Sequence, residues 1–175
     1  MKLSRYVACI CEGGAEKAIM ELLLDAELLV FTRDDLLEGE ILSCRNARHF
    51  ETQYLRKGFE EKITVLRILD SRRENFNVSR AYAHKIDVVN VITAPEIEML
   101  IIFSEGKYKE YKKSGKKPSD FCKVDLKMPN VKSVGYVKEY FCDIEKLLGA
   151  IKEYRRVSNV QRGEYTLYDL LRESK

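Results

Sequence analysis

Over its first hundred residues the chain alternates between short apolar runs and stretches whose apolar positions repeat at helical spacing. The run "RYVACIC", residues 5–11, has no polar break after Arg5, the pattern of a strand covered on both faces of a parallel sheet. Gly13 and Gly14 turn the chain. Ala15, Ala18, Ile19, Leu22 and Leu23 then mark one face of an amphipathic helix. "ELLVF", residues 27–31, predicts a second short strand, and "EILSCR", residues 40–45, is either a further strand or irregular. "NARHFETQYLRKG" follows as a helix with Asn46 as N-cap and Gly58 as its stop.

"KITVLRILD", residues 62–70, is the clearest strand, rich in β-branched side chains and ending on Asp70. "KIDVVNVITA", residues 85–94, is another, and Pro95 then opens a helix over residues 95–111, at the position where proline is tolerated. "KSGKKPSDFCK" reads as a loop entering a helix, "VKSVGYVKEYF" and "DIEKLLGAIKEYRR" as helices, and "TLYDLLRESK" as the closing segment. Strand–helix alternation followed by helices predicts an α/β fold with a mostly parallel sheet, flanking helices and a helical C-terminal part. The 175 residues suit one domain, with an α/β core over residues 1–113 and a helical extension over 114–175.

Composition narrows the class. The chain is 45% hydrophobic and 34% charged, and no run approaches the roughly 20 apolar residues of a membrane helix. Basic residues precede a short apolar stretch at the N-terminus, but the stretch is too short for a signal peptide and Glu12 interrupts it. The five cysteines are odd in number and irregular in spacing, without a Cys-x-x-Cys pair, and read as reduced thiols of a cytoplasmic protein. The net charge of +3 conceals an asymmetry. Acids dominate residues 21–40, whereas residues 107–132 carry nine lysines against Glu110, Asp120 and Asp125. That fits either a face meeting a polyanion or a solvated surface.

Glu12, Asp70 and the segment 95–98 each fall at or just past the carboxyl end of a predicted strand, the edge where open α/β sheets bind ligands. A single acid there is commonly a helix cap or a surface charge. Three at corresponding places point to a site, and carboxylate oxygens are what Mg²⁺ prefers. Two such ions promote phosphodiester cleavage.

Glu12-Gly13-Gly14-Ala15-Glu16, between strand and helix, resembles the first motif of TOPRIM domains, as found in OLD-family nucleases and RloB-like proteins of bacterial defence loci. The family's second motif is Asp-x-Asp; in "ILDSRRENF" Asp70 matches its first acid and Arg72 stands in place of the second. "APEIEMLIIF" matches a third element of RloB-like chains through Pro95, Glu98 and Phe103. The resemblance covers residues 5–113. It implies a TOPRIM-like fold and a Mg²⁺-dependent nuclease or nuclease-like effector, with Mn²⁺ as substitute, acting on nucleic acid phosphodiesters in phage defence. Glu12 would be metal ligand or general base, Asp70 and Glu98 metal ligands, and Glu16 an auxiliary ligand. Arg72 departs from the family, leaving two consequences open: a phosphate grip in place of a ligand, or loss of hydrolysis. Glu74 is near enough in sequence to replace the missing acid.

Arg72, Arg73, Arg80 and Lys85 follow Asp70 and suit a phosphodiester backbone, or equally a solvated loop. Lys112, Lys113, Lys116 and Lys117 lie near Tyr108 and Tyr111, an interleaving that allows stacking with charge neutralisation. The nucleic acid is DNA or RNA. No phosphate-cradling GxxxxGK[ST] loop is present, so an ATPase would be a separate partner protein. Two further readings stand beside the nuclease: a catalytically inactive TOPRIM-like module binding nucleic acid or a partner protein, and a small α/β protein whose acids are caps.

Overall fold

A computed structural model of the chain describes residues 1–44, 46–55, 60–72 and 74–172. Strands β1 (Tyr6–Cys11), β2 (Ile63–Leu69) and β3 (Ile86–Ile92) form a parallel sheet in the order β1-β2-β3. Every residue of the central β2 is buried, which accounts for a sequence that is apolar apart from Thr64 and Arg67. The register sets Cys11 against Ile68 and Leu69 against Ile92, so all three strands end at one edge. Single bridges extend the sheet: Ile10 pairs with Leu42 beyond β1, and Val91 with Tyr165 beyond β3.

Alternation along the strands divides the interior in two. Val7, Cys9 and Cys11 of β1, with Leu66 and Ile68 of β2, face a large core. It is filled by α1 (Gly14–Asp25), α3 (Met99–Ser104), α5 (Pro118–Val124), α6 (Val134–Tyr140) and α7 (Ile144–Val157). Here α1 packs on α6 and α3 on α7, so the C-terminal helices cover the same sheet face as the N-terminal ones. Ala8, Ile10, Ile63 and Val65 point the other way, onto α2 (Ala47–Phe50), Leu42 and Phe76. Arg67 shares their side of β2 and is 1% exposed. Its guanidinium donates to the Glu74 carboxylate at 3.0 Å and lies 5.1 Å from the Phe76 ring, so the buried charge is paired.

The structure corrects several sequence expectations. Residues 27–31 form no strand; only Leu29 bridges, antiparallel, to Leu171, because the C-terminal arm occupies that place. Residues 95–98 are turn and irregular backbone, and the helix begins at Met99. The predicted single helix over 95–111 is broken at Gly106, whose φ of +66° reverses the chain before α4 (Tyr108–Ser114). Asn46 does cap α2, accepting from His49 N at 2.9 Å, and the helix continues as a wider π-type turn over Glu51–Leu55. Its expected stop at Gly58 lies outside the described residues. Residues 40–45 contribute only the Leu42 bridge among those described. All five cysteines are free, and among the described residues no helix is long and apolar enough to cross a membrane.

Candidate functional site

The β1–α1 turn holds two glycines, the first beneath a movable side chain and the second crowded by backbone. A Cβ on Gly13 would collide with the Glu16 carboxylate, which folds back over the start of α1. A Cβ on Gly14 would stand 3.0 Å from the Lys132 carbonyl oxygen and 3.2 Å from Val134 Cγ2. Bare glycine therefore lets the segment 132–134 close directly onto the helix start. The same contact carries Lys132 to the carboxyl edge of the sheet.

At that edge lies a cavity of about 230 Å³ lined by Glu12, Gly13, Gly14, Ala15, Glu16, Ile68, Asp70, Glu98 and Lys132. The four acids expected from the sequence thus meet in one place: Glu12 from the end of β1, Glu16 from α1, Asp70 from the end of β2, and Glu98 from the start of α3. Glu12 and Asp70 are exposed at the mouth, while Glu98 is 3% exposed.

Burial dominates the electrostatics. It pushes the Glu98 carboxyl up to about 7, with a backbone hydrogen bond and then Lys132 pulling down and Glu96 and Glu16 pushing up. Burial likewise raises Glu16, and the charge of Asp70 adds to it. Glu96 is lowered: burial acts upward, but the hydrogen bond from Ser119 N at 2.7 Å and the Lys132 ammonium at 3.5 Å outweigh it. Lys132 Nζ also stands 4.0 Å from Glu98 and is held charged by both acids against the cost of burial.

Lys132 and Glu96 are the residues that sequence reasoning missed. Glu96 was in view as part of the 95–98 segment, whereas Lys132 was one of nine lysines with nothing local to single it out. Its only sequence signal is the demand of Gly14 for a close neighbour, which names no partner.

The remaining candidates lie elsewhere. Arg72 does not line the cavity; its Nε donates to Glu164 Oε1 at 2.7 Å and its NH2 to the Asn159 carbonyl at 3.1 Å. Glu74 is engaged by Arg67 on the opposite sheet face and supplies no replacement acid at the cavity. Arg73 lies outside the described residues, and Arg80 is exposed. Lys112, Lys113, Lys116 and Lys117 are exposed on and after α4, with Lys116 bonded to Asp125 at 2.6 Å. Tyr108 and Tyr111 pack into a run of rings with Phe103 and Phe121, at centroid distances of 4.9 to 6.4 Å, so they are half-buried rather than open stacking platforms.

No family model, curated protein or solved structure matches this chain. The site must be read from its own chemistry. Its donors, carboxylates meeting at the carboxyl edge of a parallel sheet, are of the kind that suits Mg²⁺. Among the described residues, however, no three acid, histidine or cysteine side chains are drawn together into a ligating group. The cation that Glu96 and Glu98 face in this structure is Lys132.

Proposed function

We propose that this chain is a Mg²⁺-dependent nuclease of the TOPRIM class. The observation that carries the reading is the meeting of Glu12, Glu16, Asp70 and Glu98 at one cavity, from four separate elements. Glu12, Asp70 and Glu98 would hold the metal, with Glu16 auxiliary. A bound Mg²⁺ supplies charge stabilisation to a phosphodiester and a more acidic water. Alternatively Glu12, exposed at the mouth, would leave the metal to Asp70 and Glu98 and take a proton from an attacking water. Lys132, beside Glu96 and Glu98, sets a positive charge that limits the mutual repulsion of the acids.

The substrate's path is suggested by continuity. Glu96 joins Lys132 at the cavity to Ser119 in the first turn of α5, and Lys116 and Lys117 immediately precede that helix. The basic segment therefore leads to the acids, which fits a polyanion lying across the edge.

A second reading is favoured by Arg72, turned toward Glu164 where the family has its second acid, and by the ungathered carboxylates. In it the chain is a TOPRIM-like module that binds nucleic acid or a partner protein without cutting. One experiment separates the two. Single- and double-stranded DNA and RNA are incubated with Mg²⁺ or Mn²⁺ and the wild type, Glu12→Gln or Glu98→Gln. The nuclease reading expects cleavage that falls by about 10² or more in the variants. Binding without cleavage by the wild type supports the module, and neither activity removes the nuclease and the nucleic-acid-binding form of the module.

A further inference from the structure

We infer that the C-terminal arm builds a second ligand site, for a phosphate monoester carrying a flat aromatic body, that is, a nucleoside 5′-phosphate. It is a cavity of about 490 Å³, more than twice the volume of the acidic one at about 230 Å³ and sharing no residue with it. Ligand pockets commonly span roughly 300–1,000 Å³.

The walls are held in place from several directions. Arg172 N donates to the Leu28 carbonyl at 2.7 Å, Val30 N to the Leu170 carbonyl at 2.9 Å, and Ile92 N to the Tyr165 carbonyl at 2.7 Å. Between these anchors Thr166 and Asp169 form a reciprocal cap, Thr166 N donating to Asp169 Oδ2 at 2.7 Å. Opposite stand Leu148 and Lys152, one turn apart on α7 and so on the same helix face.

The one acid of the lining, Asp169, is already engaged by Thr166 and by Arg155 at 3.4 Å. The two bases, Lys152 and Arg172, form no salt bridge among the described residues. Among the described residues the cavity therefore offers two unpaired cations, an ammonium on α7 and a guanidinium on the arm, a combination that suits phosphate. Leu28, Leu148 and Leu171 supply an apolar side, and Tyr165 and Tyr168 supply two rings. Tyr168 is 44% exposed, large for an aromatic ring with no other described role, and offers a face for a base to stack on.

The same phosphate and base could come from a free nucleotide or from the 5′ end of a strand. The probes are adenosine 5′-monophosphate, adenosine, inorganic phosphate and a 5′-phosphorylated tetranucleotide, titrated calorimetrically against the full chain with ¹H–¹⁵N spectra recorded in parallel. The site expects the monophosphate to bind at least about tenfold more tightly than adenosine or phosphate, as charged hydrogen bonds and stacking together require. Lys152→Gln and Arg172→Gln should each weaken it by about tenfold, whereas Tyr168→Ala should weaken the monophosphate and leave inorganic phosphate unchanged. Equal affinity for the tetranucleotide assigns the site to strand ends as well; much weaker affinity assigns it to the free nucleotide. Glu12→Gln should leave the monophosphate affinity unchanged, so that value is independent of the acidic cavity. Absence of binding at millimolar monophosphate, or binding unaltered in the Lys152→Gln/Arg172→Gln double variant with a native spectrum, overturns the inference.

Discussion

Lys132 Nζ stands 4.0 Å from a Glu98 carboxylate that is only 3% exposed, an ion pair too long to offset the full cost of burial. The result is a carboxyl raised from about 4.5 to about 7. A raised carboxyl means that the native state keeps a proton the unfolded chain has released. Stability contributed by this group is therefore present below pH 4.5 and lost as pH rises to about 7, above which the curve is flat. Glu98→Gln should remove at most about 3 kcal/mol of that fall. Lys132→Gln should push it to higher pH, since the lysine, after a backbone hydrogen bond, is what lowers Glu98. Urea unfolding in EDTA between pH 4 and 9 checks both, and identical profiles for wild type and Glu98→Gln would contradict the assigned burial.

A metal held by the acids must stabilise the folded chain. With free Mn²⁺ or Mg²⁺ at ten times its dissociation constant, the gain is about 1.4 kcal/mol, or roughly 3–6 °C in Tm for a chain of this size. Glu12→Gln and Asp70→Asn should abolish the shift while leaving the metal-free Tm nearly unchanged, because both carboxylates sit exposed at the cavity mouth. A shift that survives in both variants would place the ion elsewhere.

The sheet and its acids were legible because each follows from local pattern. β1, β2 and β3 are dominated by apolar or β-branched residues, with Arg67, Asp87 and Asn90 as the exceptions, and Glu12 and Asp70 follow the first two. What escaped depends on distant chain. Residues 27–31 have a strand's composition, but their neighbour is the arm at Leu170 and Arg172, and one bridge results. Lys132 reaches the cavity through the contact of Gly14 with its carbonyl, across more than a hundred residues. Arg72 looked like a phosphate ligand because its partner Glu164 lies far along the sequence.

That Arg72–Glu164 pair decides what Arg72→Asp should do. Glu164 is lowered despite burial by Arg72 and by the Gln161 amide, which donates to it at 3.0 Å. The substitution sets a second carboxylate against Glu164, while Arg72 itself is 37% exposed and screened. The expected loss is about 1 kcal/mol or less, greatest at low salt. No gain in metal-dependent Tm shift is expected, since the side chain faces residues 159–164 rather than the acids. Urea unfolding at two salt concentrations, with the Mn²⁺ shift measured alongside, tests this. A larger metal response in Arg72→Asp would show that the position reaches the cavity after all.

The lysines of the α4–α5 segment are not equivalent. Lys116 is spent on Asp125, whereas Lys112, Lys113 and Lys117 are exposed and form no salt bridge among the described residues. If the segment carries a strand toward the acids, affinity should fall with salt at a log–log slope of about 0.7–0.9 per phosphate neutralised. Replacing Lys112, Lys113 or Lys117 with glutamine should each lower the slope by roughly one contact. Lys116→Gln should change it less and should free Asp125, a nearby negative charge, to oppose binding. Stacking is not expected to add to this, because Tyr108 and Tyr111 are held in the ring series from Phe103 to Phe121. Tyr111→Leu should therefore cost stability rather than affinity. Fluorescence anisotropy with labelled single-stranded DNA and RNA between 50 and 300 mM salt measures every slope. If the triple variant Lys112→Gln/Lys113→Gln/Lys117→Gln keeps the wild-type slope, these lysines are solvated surface and the strand must approach the acids from another side.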